Sequence, residues 1–508
     1  MSHSEEKNTS FWLPLFVLVT GAFAAIFNSS TINVAIPKLM TIFGVSSDEI
    51  QWVLTGYMLT SAVVIPITGY LGDRFGNKRV FIYSLAIFTL GSVLSSFSWS
   101  NNSLIAFRVL QALGGGMIMP ISMAIIYRIV PMNMIGLALG VWGMAAVMGP
   151  AIGPTLGGYI IDHFNWRLLF LINIPVGILG IILSILTLEE TPLRTDTKFD
   201  FWGFVTSAAG CFALLLALSQ GNKEGWTSFY IVMLFIFSFF TLLLFVLIEL
   251  NSADPMLDLR LFKNKTFTLS VAIGGLINIG LFGGVFLMPI FTQNLMGLTP
   301  YEAGLLLLPA SLVIGVMLPI SGALFDKFGA KAIGVIGVTI AGLGTLKLHY
   351  LSVDTSFHDI IMIMVIRSIG IGLAMMPIST AGMNVVAKHL VGRASSLSNV
   401  IRQIFASFGI AILTAVMQNR QIFHYASLSE GVSDASLVAP LTIKQLQGLL
   451  GSPDTAIGVL AGLAQKQSLI NAIDDSFLIC GIFVISAVPL IFFLQDVRKS
   501  KTAASKAS

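Results

Sequence analysis

Long apolar runs separated by short polar or Gly/Pro-rich breaks recur fourteen times along the 508 residues. They lie near 12–36, 49–71, 80–98, 104–127, 136–160, 167–188, 201–220, 229–249, 267–292, 301–325, 332–350, 358–384, 394–418 and 476–495. Most are about the length that carries a helix across a bilayer, roughly 20 residues. In lipid a segment must satisfy its own backbone hydrogen bonds, so the predicted form is helical. An outer-membrane barrel would instead show short segments alternating between apolar and polar. The pattern predicts an all-α polytopic membrane protein.

Composition points the same way. The chain is 56% hydrophobic and only 10% charged, where a soluble domain carries about 25%. Its mean hydropathy of +0.89 excludes a soluble enzyme. A net charge of +4 is read as the Lys/Arg bias of cytoplasmic loops rather than as a nucleic-acid surface. With both termini placed in the cytoplasm, seven of the 28 Lys and Arg fall outside: Lys38, Arg167, Lys223, Lys347, Arg420, Lys444 and Lys466. Arg108, Arg367 and Arg402 lie within spans, and the other 18 lie inside. That bias has the sign an even number of spans requires. The first run follows an acidic leader and is too long for a signal peptide, so it reads as a retained helix. Cys211 and Cys480 sit in apolar runs, which predicts neither a disulfide nor a metal site.

The chain also repeats itself. Gly69-Tyr-Leu-Gly-Asp73-Arg-Phe-Gly76-Asn-Lys78 returns as Gly322-Ala-Leu-Phe-Asp326-Lys-Phe-Gly329-Ala-Lys331, at an offset of 253. Arg108 with Met119-Pro120-Ile121-Ser122 returns as Arg367 with Met376-Pro377-Ile378-Ser379, at offsets of 259 and 257. Both Asp-bearing loops follow an even-numbered span, so the repeats are parallel, related by an axis along the membrane normal. The second loop arrives two spans late, and residues 201–249 account for the pair inserted between the halves.

Gly69-x-Leu71-x-Asp73-Arg74-x-Gly76-x-Lys78 resembles the cytoplasmic loop motif of the major facilitator superfamily. Fourteen spans, with Asn33-Val34-Ala35-Ile36-Pro37 closing the first, resemble its drug:proton antiporter branch of the EmrB/QacA type. The resemblance implies the major facilitator fold: a six-helix bundle over 12–188, two extra helices over 201–249 and a second bundle over 267–495. Residues 1–11 and 496–508 would be cytoplasmic tails, and 419–474 a long external loop. It implies a multi-pass protein of the plasma (inner) membrane that exports lipophilic drugs or toxic small molecules in exchange for protons. An uncoupled facilitator or a dedicated metabolite exporter of the same fold is the alternative; a membrane-embedded enzyme would need a catalytic cluster that the spans do not offer. The external segment resembles that of relatives working with an adaptor protein and an outer-membrane channel. Besides these, the expected partners are the substrate, protons and membrane lipid.

Individual residues carry the expected mechanism. Asp73 is placed to cap a helix start, and the resemblance makes Gly69, Asp73, Arg74, Gly76 and Lys78, with Asp326 and Lys331, a conformational latch. Arg108 is too costly to face lipid, at about 2.5–3.5 kcal/mol on insertion scales. With Gln111, three residues on, it resembles the helix 4 proton-transfer motif. Gly149, Gly153 and Gly157 form a small-residue stripe on which another helix can pack. Pro150 and Pro154 remove two backbone donors from the same helix, and together the five residues resemble an exporter motif. Asn28, Asn33, Tyr57, Asn278 and Arg402 place polar groups on apolar helices and are candidates for a central cavity.

Proton carriage is harder to place. The branch has an Asp in helix 1 where this chain has Asn28, and an amide does not titrate near neutral pH. Glu49, Glu249 and Glu302, at span ends, are the alternative carriers. No Gly-x-x-x-x-Gly-Lys-Ser/Thr loop occurs, so ATP is not the expected fuel and no cofactor is expected. One proton crossing 100 mV supplies about 2.3 kcal/mol.

Overall fold

The computed structural model describes residues 11–132, 134–191, 193, 199–430, 439–450 and 452–494. The tails expected at 1–11 and 496–508 lie outside these residues, Phe11 apart. Fourteen helices are long and apolar enough to cross a membrane. They are α1 (Trp12–Phe43), α2 (Ser47–Phe75), α3 (Asn77–Ser96), α4 (Asn101–Ile129), α5 (Ile135–His163), α6 (Leu168–Thr187) and α7 (Phe201–Glu224). The second seven are α8 (Phe229–Asn251), α9 (Lys265–Ile290), α10 (Pro300–Phe328), α11 (Ala330–Lys347), α12 (Phe357–Asn384), α13 (Val391–Glu430) and α14 (Pro453–Ile485). Among the described residues there is no strand.

The helix starts show why the two halves fold alike. Ser46 and Glu49 close a capping box at the start of α2, and Thr299 and Glu302 close one at the start of α10, again 253 residues apart. Each side chain satisfies the other residue's backbone N–H, two donors that no helical turn reaches. At the other end, α2 and α10 stop at Gly76 (φ 92°) and Gly329 (φ 85°), left-handed positions that favour glycine. The chain then reverses at once into α3 and α11. The repeat is therefore one of turn chemistry as well as of sequence.

Two expectations need correction. Pro37 does not end α1, which runs on to Phe43 and stops at Gly44 in the left-handed region. Nor is 419–474 simply a loop. α13 continues to Glu430, a separate helix spans Ala439–Leu450, and α14 begins at Pro453. The extensions of α13 and α14 are tied together where Asp475 accepts from Arg420 Nε at 2.5 Å and lies 2.8 Å from His424 Nε2. Polar clusters such as Asn419-Arg420-Gln421 and Gln465-Lys466-Gln467 interrupt the apolar pattern there, so hydropathy ended the spans where the helices did not end.

The two helix sets meet along two seams. α5 packs antiparallel against α10 over most of its length, and α2 packs against α13. α7, the first of the two helices expected between the halves, lies against both α2 and α13, with Leu215 and Leu216 packed on Leu59 and Ala62. α8 packs chiefly on α7 and exposes large apolar side chains such as Phe229, Phe239, Phe240 and Leu247. In a membrane protein that face is lipid-facing. Cys211 in α7 and Cys480 in α14 are buried and free.

Candidate functional site

Arg108, on α4, is fully buried. Its Nη1 donates to Asn28 Oδ1 on α1 and to Gln111 Oε1 one turn along, each at 2.6 Å, and its Nε reaches the Val53 carbonyl of α2 at 3.4 Å. The guanidinium lies 4.1 Å from the centroid of the Tyr57 ring, a cation–π contact. Gln111 passes the chain of bonds on to Ser92 Oγ of α3 at 2.6 Å. Close approach of α3 permits this: a Cβ on Gly91 would fall 2.5 Å from Gln111 Cα. Arg108 Nη2 and Asn28 Nδ2 are buried without a hydrogen-bond partner. The site thus holds a buried cation on neutral acceptors with a donor to spare, a place suited to an incoming acceptor.

The second half is not a copy. Glycine contacts fix the register of α12 at an offset of 256: Gly91 packs on Gln111 as Gly344 packs on Arg367, and Gly114 and Gly370 each meet the preceding helix. Arg367 therefore corresponds to Gln111, and the residue corresponding to Arg108 is Met364. The sequence pairing of Arg108 with Arg367 at 259 is corrected by one helical step of three residues. Arg367 Nε donates to Thr345 Oγ1 at 3.0 Å, as Gln111 does to Ser92, and Nη2 donates to the Gly280 carbonyl. Its guanidinium presses against Gly284, where a Cβ would not fit.

Arg367 also lines a cavity of about 880 Å³, counting its open mouth, between α5, α9, α10 and α12. Pro150, Pro154, Phe282, Gln293 and Met364 are among the other lining residues. Gly149, Gly153 and Gly157 face the other way, onto Ile26, Ser30 and Thr31 of α1. So the five residues of the expected exporter motif divide, glycines to the α1 contact and prolines to the cavity. A smaller cavity, about 390 Å³, is lined by Asn278 and Arg402 with Phe267, Met375 and Met383. The polar candidates thus fall into two places, Asn28 and Tyr57 around Arg108, Asn278 and Arg402 in the second cavity. Asn33 is exposed and belongs to neither.

The Asp-bearing loops each cross between the halves. Asp73, at the end of α2, is buried and lies 3.4 Å from Arg393 Nε at the start of α13, also buried. Gly69 meets the Arg393 backbone, where a Cβ would come within 3.0 Å of its Cα. Asp326, at the end of α10, accepts from the Leu137 N–H at the start of α5 at 3.3 Å. A carboxylate on a helix N-terminus is favoured by the free N–H groups and the dipole. Leu137 and Arg393 are 256 residues apart, so the two contacts join equivalent positions, one by an ion pair and the other by a backbone hydrogen bond. Ser395 Oγ adds a bond to the Pro120 carbonyl at 3.1 Å.

Lys78 and Lys331 do not take part in these crossings. Lys78 Nζ donates to the Ile185 carbonyl at 2.8 Å within its own half. Lys331 lies 5.9 Å from the Phe492 ring in the other. Arg393 and Ser92 were missed by sequence reasoning. Arg393 falls among the 18 inside Lys and Arg, and its signal is Ile135-Gly-Leu-Ala138 returning as Val391-Gly-Arg-Ala394 at 256; Ser92 has a signal too, in Thr345 at 253.

A sequence model of the Major Facilitator Superfamily matches residues 18–410. The chain is 36% identical over its full length to the uncharacterized MFS-type transporter YhcA of Bacillus subtilis, covering 97% of it. It is 31% identical to the multidrug transporter protein MdtP of the same species, over 96% of this chain and 94% of that protein. Identity with the multidrug export protein EmrB of Escherichia coli is 29%, over 94% of each. The fold is that of the proton:xylose symporter XylE, with a TM-score of 0.63 at 13% identity over 96% of each chain. The fourteen helices, the doubled Asp loop and these likenesses lead to one assignment: the chain is a multi-pass membrane transporter that belongs to the major facilitator superfamily.

Proposed function

We propose that this protein exports lipophilic drugs or other toxic small molecules in exchange for protons, the two helix sets rocking about a central pathway. The observation that carries the reading is the pair of equivalent crossings, Asp73 to Arg393 and Asp326 to Leu137, on one side of the membrane. Together they act as a latch that holds that side closed, with both termini and the latch in the cytoplasm. Export is supported by the relatives MdtP and EmrB, described as multidrug transporters. The apolar 880 Å³ cavity, of a size that suits drug-like ligands, supports a lipophilic substrate. A partner adaptor and outer-membrane channel belong to the same reading where the cell has two membranes, docking on the extended α13–α14 region.

The experiment is transport of a lipophilic cation into inside-out proteoliposomes with and without an imposed pH gradient. Asp73→Asn removes the charge facing Arg393 and is expected to cut transport at least tenfold while leaving the amount of protein in the membrane unchanged. Normal transport by this variant would remove the latch from the mechanism. One observation favours a second reading, an uncoupled facilitator: Arg108 is held by the amide Asn28 rather than by an acid. Flux indifferent to the gradient would establish that alternative.

A further inference from the structure

Sequence offered three acids at span ends, and the structure separates them. Glu49 Oε2 accepts from Ser46 N at 2.9 Å, and Glu302 Oε2 from Thr299 N at 2.8 Å. Both are exposed members of capping boxes and are accounted for by helix termination. Glu249 differs. It is at the end of α8, on the inserted pair, and fully buried although most of that helix is exposed. Its Oε1 accepts the Leu257 N–H at 3.2 Å, and Oε2 is buried with no hydrogen-bond partner. Three charged groups act on it: Asp200 from the segment before α7, Asp258 from the segment after α8 and Arg393 from α13. Arg393 is the cation that faces Asp73 of α2.

We propose that the Glu249 carboxyl is a proton-binding site of the latch, occupied while Arg393 is held by Asp73 and vacated when the two halves part on that side. The proposal rests on the latch reading above. A carboxylate buried without donors for both oxygens is expensive, and Asp200 and Asp258 add like charge. The nearby cation is already engaged across the seam. A proton on Glu249 removes the conflict and leaves Arg393 wholly to Asp73. Separation of the halves frees Arg393 for Glu249 and admits water, so the proton leaves toward the latch-side compartment. The sign follows: acid favours the closed latch, and rising pH on that side favours opening. The inserted helices thereby acquire a role beyond filling the seam.

The test uses the full-length protein in nanodiscs, spin-labelled at the exposed positions Phe75 and His389, with the distance distribution measured from about pH 5 to pH 9. The expected result is a closed population that shrinks as pH rises, and a Glu249→Gln variant that stays closed throughout. A wild-type distribution without pH dependence, or an unchanged dependence in Glu249→Gln, overturns the proposal. Should Glu249→Gln not reach the membrane, Asp258→Asn takes its place: removing one repelling acid must move the midpoint to lower pH, and an unmoved midpoint overturns the proposal equally. Asp73→Asn distinguishes the two failures. If it opens the latch while Glu249→Gln behaves as wild type, the proton site falls and the latch stands; if Asp73→Asn leaves the distances unchanged, the latch itself falls.

Discussion

The two halves place a buried arginine on the same helix of the repeat, but not at the same position. In the first half the cation is Arg108, held by amide oxygens from Asn28 and Gln111. In the second half Met364 stands there, and the cation is Arg367, at the position of Gln111. Three residues of α-helix are about 4.5 Å of rise, so the charge is displaced by most of a turn. Arg108 rests chiefly on side chains from α1, α2 and its own turn, and these can rearrange. Arg367 rests on the Thr345 hydroxyl of α11 and on a backbone carbonyl of α9, and the carbonyl cannot shift without moving that helix. A duplicated scaffold thus carries one adaptable and one fixed charge, and mechanism is expected at the adaptable one.

The hardest blow to that contrast is to make the first half like the second. Arg108→Met copies Met364 and leaves the Asn28 and Gln111 oxygens without their donor, at about 1–3 kcal/mol each. Transport is expected to fall below a hundredth of wild type in the proteoliposome assay, with a lower melting temperature. Retention of most transport would mean that the arginine is structural.

A second change sharpens the contrast. Asn28→Asp puts a carboxyl where the amide oxygen lies 2.6 Å from the guanidinium, and a charge-assisted bond is roughly twice as strong as a neutral one. Ionised, the introduced carboxyl pins Arg108; protonated, it resembles the native amide. Transport by this variant is therefore expected to approach wild type at low pH and to decline as pH rises, measured as flux against internal pH. A profile parallel to that of wild type would take position 28 off the coupling route.

The mildest effect is expected on the other side. Arg367→Gln copies Gln111 and retains a donor for Thr345. Its transport is expected to stay within about tenfold of wild type, the equivalent of about 1.4 kcal/mol. A complete loss would show that the second cation is as mechanistic as the first.

Much of the fold was legible in the sequence because lipid imposes a single rule on every span: apolar side chains and a closed backbone. The fourteen helices follow from it, and the doubled Asp loop was legible separately, as a repeat at an offset of 253. Helix ends in water obey no such rule, which is why α13 and α14 outran their apolar stretches. Within the site, Arg108 and Gln111 were readable from their spacing on one helix, since residues three apart share a face. Asn28 and Tyr57 stood out as polar groups on apolar helices, but their common partner did not, because α1, α2 and α4 meet only after packing. The register of α12 was present in the sequence, where Val109, Gly114 and Gly116 return as Val365, Gly370 and Gly372 at 256, but the two arginines drew the pairing away from it. Two arginines look like equivalents in an alignment, whereas the glycines Gly91 and Gly344, which set how closely the helices approach, carry no chemical label.

The inserted helix α7 covers the α2–α13 seam, whereas among the described residues the insertion provides no counterpart over α5 and α10. One flank of the helix set is therefore shuttered, and the other presents bare helix edges. The roomier hollow, walled by Pro150, Pro154 and Arg367, lies toward the unshuttered flank. Under the proposed export of lipophilic molecules, sideways entry from the bilayer is expected to be lopsided, despite the near-twofold architecture beneath it.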